Sequence, residues 1–413
     1  MTSPQPASCS QSGQEPDADD AQPRGRLAFV ANRFGDDVAG GAEMVIGELG
    51  RGLHGRGWQV DIITSSARDL YTWKNELPEG ESVEHGLRVL RFETMQPTKA
   101  RERNRIGNQI AAGATVSLTD QYRWMNYGVR VPGMHEYLVD HASRYRAILM
   151  APYLFWTTFA CAEIAPERTI LHPCLHDEPE ARLDIFKPMF ESSRGILFQT
   201  GPEQDLGRRL FNLSSRTALV GSGIDPPAGY DAEGFRRRHG IEGDFILFAG
   251  RREWGKGWPE LLRSLDFANS QLPHRLPLVT CGVGDIGPVP PNAKIVDLGY
   301  LSESERSNAM AAATIYVQPS AMESFSRTIM EAWLAGTVVM ANAASAVVGW
   351  HCRRSGGGLA YRDRYEFTEA LRLLLDRPDT RAAMAGRGRD YVLRNYRWPD
   401  VLGRVERVIE EWT

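Results

Sequence analysis

Residues 316–342 read YVQPSAMESFSRTIMEAWLAGTVVMAN, and this stretch decides the fold. Apolar residues at 314–319 predict a short buried strand, and Ser326 is a candidate N-cap for the amphipathic helix that follows. The helix is expected to end at residues 335–336, where a glycine follows the last apolar positions, and residues 337–341 predict a second strand. In such a strand–loop–helix–strand unit, ligands bind where the first strand ends and the helix begins. The residues of this turn are therefore candidates for a binding site.

Two glutamates bracket the turn. Glu323 lies in the loop before the helix, and Glu331 lies about one turn inside the helix. Because Glu323 precedes the helix, the two carboxylates can reach one ligand from different sides. Backbone N–H groups at 324–327 would point toward an anion bound there. The spacing alone leaves an alternative open, in which Glu331 is a solvated helix residue and Glu323 an ordinary loop acid.

The surrounding residues resemble the signature of retaining glycosyltransferases of family four, which have the GT-B fold. In that family two glutamates separated by seven residues (E-x7-E) stand in a pattern like P-S-x-x-E-G-F-G-x-x-x-x-E-A-x-x-x-G-T-P-V. Ser324 and Ser326 replace two glycines of this pattern, and Val338 replaces its proline. Because serine has a side chain and glycine has none, these replacements could change how closely the backbone approaches a bound sugar. The two glutamates and their spacing are retained. The positions that match are Pro319, Ser320, Glu323, Phe325, Glu331, Ala332, Gly336 and Thr337.

Composition limits the class of protein. A chain of 413 residues is long enough for two domains with substantial cores. A net charge of −4 and 42% hydrophobic residues indicate no general attraction to nucleic acid or acidic lipid. The five scattered cysteines, without C-x-x-C spacing, predict free thiols in a reducing cytoplasm and no zinc site. No apolar run approaches the ~20 residues that span a bilayer. We therefore expect a cytoplasmic protein without a transmembrane segment, with contact to the inner face of the membrane left open.

The chain divides into four predicted segments. Residues 1–25 are polar and acidic and lack the apolar core of a signal peptide, which predicts a disordered tail. Strands and helices alternate through residues 26–225 and again through residues 226–395, which predicts two α/β domains. The GT-B resemblance implies that these are two Rossmann-like domains facing each other across a cleft. It also implies that the first holds the acceptor, that the second holds the donor, and that a final helix in residues 396–413 returns to the first domain.

The first domain contributes two candidate groups. Gly40 and Gly41 open the first helix, where the missing Cβ allows a phosphate close to the backbone. Their G-G-A-E context resembles the family, which implies a donor-side role. His176 and Asp177 follow a buried strand and resemble a His-Asp pair at the family's cleft edge, which implies acceptor binding; a packed or capping His176 is the alternative. Many relatives carry a histidine after the strand at 147–152, but Ala-Pro-Tyr stands there in this chain.

The second domain contributes the donor residues. Arg251 and Lys256 follow the buried strand at 245–250 in a G-R-x-x-x-x-K-G pattern that resembles the family's diphosphate-binding pair. A guanidinium fork and an ammonium suit the roughly two negative charges of a diphosphate. Gly282 ends the next strand, where relatives pack the nucleoside. The expected donor site consists of Arg251, Lys256 and Gly282 together with the loop residues Ser324, Phe325 and Ser326 and the helix residue Glu331.

Residues 98–140 show no clear periodicity. The basic run at 99–105 could contact an anionic membrane or a lipid-linked acceptor, although a solvated helix face is the favoured interpretation. The aromatic residues Tyr122, Trp124 and Tyr127 could form a sugar-stacking wall or could cover the core. We expect acceptor specificity to lie in this segment.

The sequence therefore predicts a retaining glycosyltransferase that moves a sugar from a UDP- or GDP-type nucleotide sugar to a hydroxyl group. The acceptor would be a glycan, a lipid-linked molecule or a small molecule, and no nucleic acid is expected. Neither domain has a D-x-D motif at its nucleotide turn, so we expect no metal and no cofactor beyond the donor substrate. The resemblance implies that Glu323 binds the donor sugar and Glu331 the ribose; Glu323, Arg251, Lys256 and His176 are the expected catalytic residues. An epimerase or hydrolase of the same fold, or a non-catalytic nucleotide-sugar-binding protein, remains an alternative.

Overall fold

The computed structural model describes residues 24–36, 38, 40–213 and 216–413. The predicted N-terminal tail lies outside the described residues except for Arg24 and Gly25. These two belong to the folded domain rather than to a tail, because the Arg24 guanidinium pairs with Glu406 of the last helix.

The first sheet contains eight strands in the order β3-β4-β2-β1-β5-β6-β7-β8 within the described residues. All neighbouring pairs are parallel except β3 and β4. Its strands are β1 (Arg26–Ala31), β2 (Gln59–Ser65), β3 (Gly80–Glu84), β4 (Leu87–Phe92), β5 (Ala147–Ala151), β6 (Thr169–Leu171), β7 (Gly195–Phe198) and β8 (Arg216–Leu219). The accompanying helices are α1 (Gly41–His54), α2 (Ala100–Ala111), α3 (Leu118–Asn126), α4 (Pro132–His141), α5 (Trp156–Cys161), α6 (Lys187–Ser192) and α7 (Gly201–Leu210).

The second sheet contains six parallel strands in the order β11-β10-β9-β12-β13-β14 within the described residues. Its strands are β9 (Ile246–Ala249), β10 (Pro277–Cys281), β11 (Lys294–Asp297), β12 (Ile315–Gln318), β13 (Val338–Asn342) and β14 (Gly358–Tyr361). The helices that follow the first domain are α8 (Ala232–His239), α9 (Trp258–Gln271), α10 (Glu303–Ala312), α11 (Arg327–Leu334), α12 (Ala346–Ser355), α13 (Arg364–Asp376), α14 (Pro378–Asn395) and α15 (Trp398–Trp412).

Both sheets are covered by helices on both faces. The central strands β1, β5, β9 and β12 are almost entirely buried. Strands buried on both faces have near-continuous apolar sequences, because neither face can carry polar side chains into water. This explains why the apolar runs in the sequence predicted the central strands well, and it leaves the carboxyl ends of the strands free for polar residues.

The chain crosses between the two domains through residues 221–225. A Cβ on Gly223 would lie 2.1 Å from the Trp398 ring, and Arg397 pairs with Asp225 at the same point. Helix α15 then packs on the first domain, where Glu406 accepts a hydrogen bond from Trp58 at 2.9 Å. The crossing and the returning helix are therefore held against each other.

Residues 98–140, in which no periodicity was recognised, are largely helical. They form α2, α3 and α4, and these helices bury Ile106, Met125 and Met134. Each helix is only 9 to 12 residues long and buries few side chains, so its apolar stripe is too short to dominate the local sequence. Three short helices therefore occupy a segment whose sequence shows no clear periodicity.

Candidate active site

The carboxyl ends of β9 and β12 lie side by side in the second sheet, and the loops that follow them form the centre of the site. Gly257 has φ +73°, and a Cβ there would lie 2.4 Å from the Pro319 carbonyl oxygen. This close approach brings the Lys256 ammonium to the Glu323 carboxylate, with Nζ 2.9 Å from Oε1. Both side chains are partly buried.

Arg251 lies on the same edge and faces the first domain. Its guanidinium is 3.1 Å from Glu253 and donates to the Tyr71 hydroxyl at 3.1 Å. Tyr71 belongs to the loop after β2, so this contact crosses the cleft. Sequence reasoning missed Tyr71, because no motif marks a single exposed tyrosine in a long loop. Arg251 and Lys256 therefore provide two accessible positive charges on the cleft side of the second domain.

Ser326 occupies a backbone conformation that favours glycine, with φ +67°. This is the position at which the family pattern has its second glycine, and the left-handed conformation costs a non-glycine residue about 1–2 kcal/mol. Ser326 occupies the N-cap position of α11, as predicted, but its side chain makes no capping hydrogen bond. Instead its Oγ accepts a hydrogen bond from Gln318 Nε2 at 2.8 Å, which ties the loop to the end of β12.

Phe325 and Ser324 have different surroundings. The Phe325 ring is buried and packs edge-on against His351 and Tyr396, so only its backbone faces a donor site. Ser324 contacts the first domain: its carbonyl oxygen accepts a hydrogen bond from Thr200 Oγ1 at 3.0 Å, and its Oγ lies 3.4 Å from Gln199 Oε1. The loop thus combines a buried anchor with a contact across the cleft.

Glu331 carries an oxygen that could accept from a ligand. Its Oε1 is 3.3 Å from the Arg306 guanidinium, whereas its buried Oε2 has no hydrogen-bond partner among the described residues. Buried carboxylate oxygens are nearly always hydrogen-bonded, so an unpaired one next to a candidate site indicates a ligand contact. Gly282 has φ +138°, and a Cβ there would lie 2.1 Å from the Gly250 carbonyl oxygen, so close packing of the strand ends requires this glycine.

The two glycines at the start of α1 differ in what surrounds them. A Cβ on Gly40 would lie 2.0 Å from the Glu43 carboxylate, which is buried in an ion pair with Arg33. A Cβ on Gly41 would meet no described atom within 4 Å. The packing around Gly40 therefore requires glycine, whereas the open space at Gly41 is consistent with room left for a ligand.

The structure separates His176 from Asp177. Asp177 is more than half exposed and pairs with Arg182. The His176 ring instead has Nδ1 3.9 Å from Glu178 Oε2. Burial disfavours the charged form of the ring, but Glu178, and Glu323 across the cleft, outweigh this and raise the pKa of His176. His176 therefore lies close enough to the Lys256–Glu323 pair for their charges to act on it.

Glu178 and Tyr153 form a contact beside His176 that the sequence did not predict. The buried Tyr153 hydroxyl donates to Glu178 Oε1 at 2.6 Å, and burial together with Glu178 raises the tyrosine pKa well above its ordinary value. Tyr153 stands in the Ala-Pro-Tyr segment where many relatives have a histidine. The detectable signal was an acid two residues after His176, but nothing in the sequence connects it to a tyrosine 25 positions earlier.

Glu203 positions the loop that carries His176. Its carboxylate is buried and accepts from the backbone N–H groups of Leu175 at 2.7 Å and Gln199 at 2.6 Å. Burial raises the pKa of Glu203 to about 7. His172, on the same loop, is fully buried beside Gln199, and burial lowers its pKa to about 4, so it is neutral at pH 7. It contributes to packing rather than to the site.

In the part of the chain that the structure describes, no group of three or more His, Cys, Asp or Glu side chains is arranged to hold a metal ion. Among the helices described, none combines the length and the apolar content that a bilayer crossing needs.

The sequence and the structure are both similar to those of known glycosyltransferases. Residues 231–391 match the sequence model of the family Glycosyl transferases group 1. D-inositol 3-phosphate glycosyltransferase of Xylanimonas cellulosilytica is 26% identical over 332 residues, covering 75% of this chain and 76% of that protein. Sucrose-phosphate synthase of Thermosynechococcus elongatus superposes with a TM-score of 0.72 at 17% identity, covering 94% of this chain and 99% of that one. HepE of Anabaena, solved with UDP and glucose, has a TM-score of 0.66 at 14% identity over 94% and 99% of the two chains.

The structural similarities span both domains, so the predicted fold of two Rossmann-like domains facing a cleft, GT-B, is confirmed. The family match covers most of the second domain, including Arg251, Lys256, Glu323 and Glu331. Together with the curated relative, it supports glycosyltransferase activity.

Proposed function

We propose that this protein is a retaining glycosyltransferase that transfers a sugar from a UDP- or GDP-type nucleotide sugar to a hydroxyl group of an acceptor. The observation that carries the proposal is the Lys256–Glu323 pair, beside Arg251, on the carboxyl edge of the second sheet and within charge range of His176. The name of the curated relative, a D-inositol 3-phosphate glycosyltransferase, and the UDP and glucose bound by HepE support the same reaction class.

In this proposal the donor diphosphate binds between Arg251 and Lys256. Each cation now pairs with a carboxylate, Glu253 and Glu323 respectively. A diphosphate competes well for both cations. Its negatively charged oxygens can accept charge-assisted hydrogen bonds from the Arg251 guanidinium and from the Lys256 ammonium at the same time. As the sugar–phosphate bond breaks, the same cations stabilise the charge that develops on the leaving group. This role does not require a metal, so we propose that the reaction is metal-independent.

The two glutamates then bind different parts of the donor. When Lys256 turns to the phosphate, the Glu323 carboxylate becomes available to accept hydrogen bonds from sugar hydroxyls. The unpaired Oε2 of Glu331 accepts from the ribose. The backbone N–H groups at the start of α11 and at Gly41 face anionic groups of the donor. Ser324 and Ser326 stand in a loop whose left-handed turn matches the glycine position of the family pattern.

His176 acts on the acceptor side in this proposal. Glu178 raises its pKa, and the Tyr153 hydroxyl orients Glu178. The ring positions the acceptor hydroxyl by a hydrogen bond, and the departing phosphate takes the hydroxyl proton as the new bond forms on the face that the phosphate leaves. Asp177, paired with Arg182 on the surface, has no part in the step.

The acceptor class is a glycan, a lipid-linked molecule or a small molecule with a free hydroxyl. We propose a cytoplasmic location, and the unpaired thiols of Cys161, Cys174, Cys281 and Cys352 support a reducing compartment.

The test is release of nucleotide from purified full-length protein incubated with a panel of UDP- and GDP-sugars, each with and without hydroxyl acceptors. Transfer predicts that one donor releases its nucleoside diphosphate faster when an acceptor is present, with formation of a glycosylated product. Release that no acceptor accelerates would indicate a hydrolase, and isomerised donor without release would indicate an epimerase. Binding of a donor, seen as a rise in melting temperature, without any turnover would indicate a non-catalytic nucleotide-sugar-binding protein.

A further inference from the structure

A cavity in the first domain opens beside the transfer site. Its volume is about 100 Å³. It lies between the helices of the 98–140 segment and the loops that follow β2 and β5. The side chains that matter here are Trp73, Arg103, Trp124, Phe155, Trp156 and Thr157.

Arg103 brings a positive charge into this cavity without an acidic partner. The guanidinium stands over the Trp124 ring, with 5.8 Å between its carbon and the ring centroid. No carboxylate among the described residues forms an ion pair with it, and its buried Nε has no hydrogen-bond partner there. Burial lowers the pKa of the guanidinium, although not enough for it to lose its charge near neutral pH. A partly buried cation that has no counter-ion is available to bind a negatively charged ligand.

A second unpaired group lines the same cavity. Thr157 is buried, and its Oγ1 finds no hydrogen-bond partner in the part of the chain that the structure describes. Buried polar atoms without partners are uncommon, and here two of them belong to residues that line one cavity, which points to a ligand that provides acceptor oxygens. The surrounding indole and phenyl rings exclude water, and they offer flat faces on which a sugar or other ring can stack.

The cavity adjoins the proposed transfer site through two short connections of the chain. Trp73 is two residues from Tyr71, whose hydroxyl contacts Arg251, so their Cα atoms are at most ~7 Å apart. Phe155 is two residues from Tyr153, which holds Glu178 next to His176. A molecule with one end in the cavity could therefore extend its other end to His176.

We propose that this cavity binds an oxyanion, a phosphate or a carboxylate, that belongs to the acceptor, with Arg103 and Thr157 as its hydrogen-bond donors. The inference rests on the proposed function in taking the ligand to be the acceptor. The small volume limits the cavity to one such group, while the ring and the reacting hydroxyl of the acceptor lie toward the cleft. The basic run that contains Arg103 thus includes a residue directed into a binding cavity, in addition to its exposed arginines.

The experiment measures binding by intrinsic tryptophan fluorescence in the presence of saturating UDP, so that the donor site is occupied. The probes are inorganic phosphate, glucose 6-phosphate, glucuronate and neutral glucose. The wild-type protein is expected to bind the three anions at least tenfold more tightly than glucose. A phosphate-specific cavity would bind the two phosphates and not glucuronate, whereas a general oxyanion site would bind all three; either result supports the proposal.

Arg103→Gln is expected to abolish the preference for anions, and Thr157→Val is expected to reduce it. The matched control is Arg101→Gln, which removes one positive charge from an exposed position of the same helix and should leave the preference unchanged. If Arg103→Gln does not fold, Arg103→Lys provides the test, because it keeps the charge but loses the bidentate fork and should weaken anion binding several-fold.

Three results would overturn the inference. These are no preference for anions in the wild type, the same preference in Arg103→Gln, or an equal loss in Arg101→Gln, which would indicate a general effect of surface charge.

The proposed function is checked separately through UDP binding and nucleotide release. Transfer without a preference for anions would refute the cavity assignment alone, whereas Arg103-dependent anion binding without transfer would refute the proposed function alone.

Discussion

Lys256 Nζ lies 2.9 Å from Glu323 Oε1, although the two residues are 67 positions apart in the chain. Each side chain neutralises the other, and each is expected to bind a different part of the donor. A diphosphate that draws the ammonium away would at the same time expose the carboxylate to the sugar. We therefore expect binding of the leaving group and binding of the sugar to be coupled through this ion pair.

The first prediction concerns this pair and Arg251. Lys256→Ala and Arg251→Ala are each expected to weaken UDP binding by about 10- to 150-fold, because a hydrogen bond to a charged group contributes about 1.5–3 kcal/mol. Uridine, which lacks the phosphates, should bind with nearly the same affinity as to the wild type. Calorimetric titration with both ligands measures the difference.

Lys294→Ala serves as the control. It removes a lysine from the amino-terminal end of β11, whereas the proposed donor site lies at the carboxyl ends of the strands of the same sheet. An equal loss of UDP and uridine affinity in the Lys256 or Arg251 variants would contradict a phosphate contact.

The second prediction separates Gly40, the N-cap residue of α1, from Gly41, its first residue. Gly41→Ala is expected to leave the melting temperature unchanged or slightly higher, because a Cβ there meets no described atom and alanine favours a helix. It should nevertheless weaken donor binding, because the added methyl fills the space that we assign to the donor. Gly40→Ala should lower the melting temperature, since it displaces the Glu43 carboxylate. Thermal unfolding with and without UDP-sugar distinguishes these effects, and full donor affinity in Gly41→Ala would remove Gly41 from the site.

The third prediction concerns the left-handed backbone at Ser326. Ser326→Ala should lower the free energy of unfolding by about 1 kcal/mol, because it loses the Gln318 hydrogen bond and keeps the strained backbone. Ser326→Gly should cost less, because glycine relieves that strain. At Ser324, whose φ is not positive, the order should be reversed, with glycine costing more than alanine. Urea denaturation of the four variants tests this; a larger loss of stability in Ser326→Gly than in Ser326→Ala would contradict a strained backbone at Ser326.

The fourth prediction assigns His176 to the acceptor step. His176→Ala should lower turnover while UDP-sugar affinity stays close to wild type, because the lost contact orients the acceptor in the transition state. A packed or capping histidine would instead lower the melting temperature and leave turnover per folded molecule unchanged. Donor affinity, melting temperature and turnover of this one variant therefore distinguish the two roles.

The fifth prediction follows from the raised pKa of His176. A group with a raised folded-state pKa stabilises the fold fully below its unfolded pKa, about 6.5 for histidine, and this contribution is lost as the pH rises through the folded pKa. The difference in stability between wild type and His176→Ala should therefore be larger at acidic than at alkaline pH. Glu178→Gln should greatly reduce this pH dependence, because the main carboxylate beside the ring becomes neutral. If the difference in stability between the wild type and His176→Ala did not change with pH, an ion pair between His176 and Glu178 would be contradicted.

The central strands and the second-domain loops were predictable because their signals are local. The buried strands β1, β5, β9 and β12 have continuous apolar sequences, and the E-x7-E spacing lies within one strand–loop–helix unit. The contacts that complete the site depend on distant parts of the chain. Tyr71 meets Arg251 only because the two sheets direct the carboxyl ends of their strands toward one cleft. Tyr153 meets Glu178 because β5 and β6, which precede them, are neighbours in the first sheet. No pattern of residues near any of these positions specifies such a pairing.

The helices of the 98–140 segment were missed for a related reason. Each is short, and the side chains that distinguish it, such as Arg103 and Trp124, are directed into a cavity formed with loops from elsewhere in the domain. A charged or aromatic residue in a short helix gives the same sequence signal whether it faces solvent or a binding cavity. Only the tertiary arrangement distinguishes these two environments.

One experiment can test whether the sugar is transferred with retention and whether the protein, rather than a metal, stabilises the charge of the leaving group. A nucleotide sugar labelled with ¹³C at its anomeric carbon is incubated with the protein and an acceptor in the presence of EDTA, and the product is followed by NMR. The account predicts release of nucleoside diphosphate and a product whose anomeric carbon keeps the configuration of the donor. An inverted anomeric carbon, or transfer that stops in EDTA and is restored by magnesium or manganese, would contradict it.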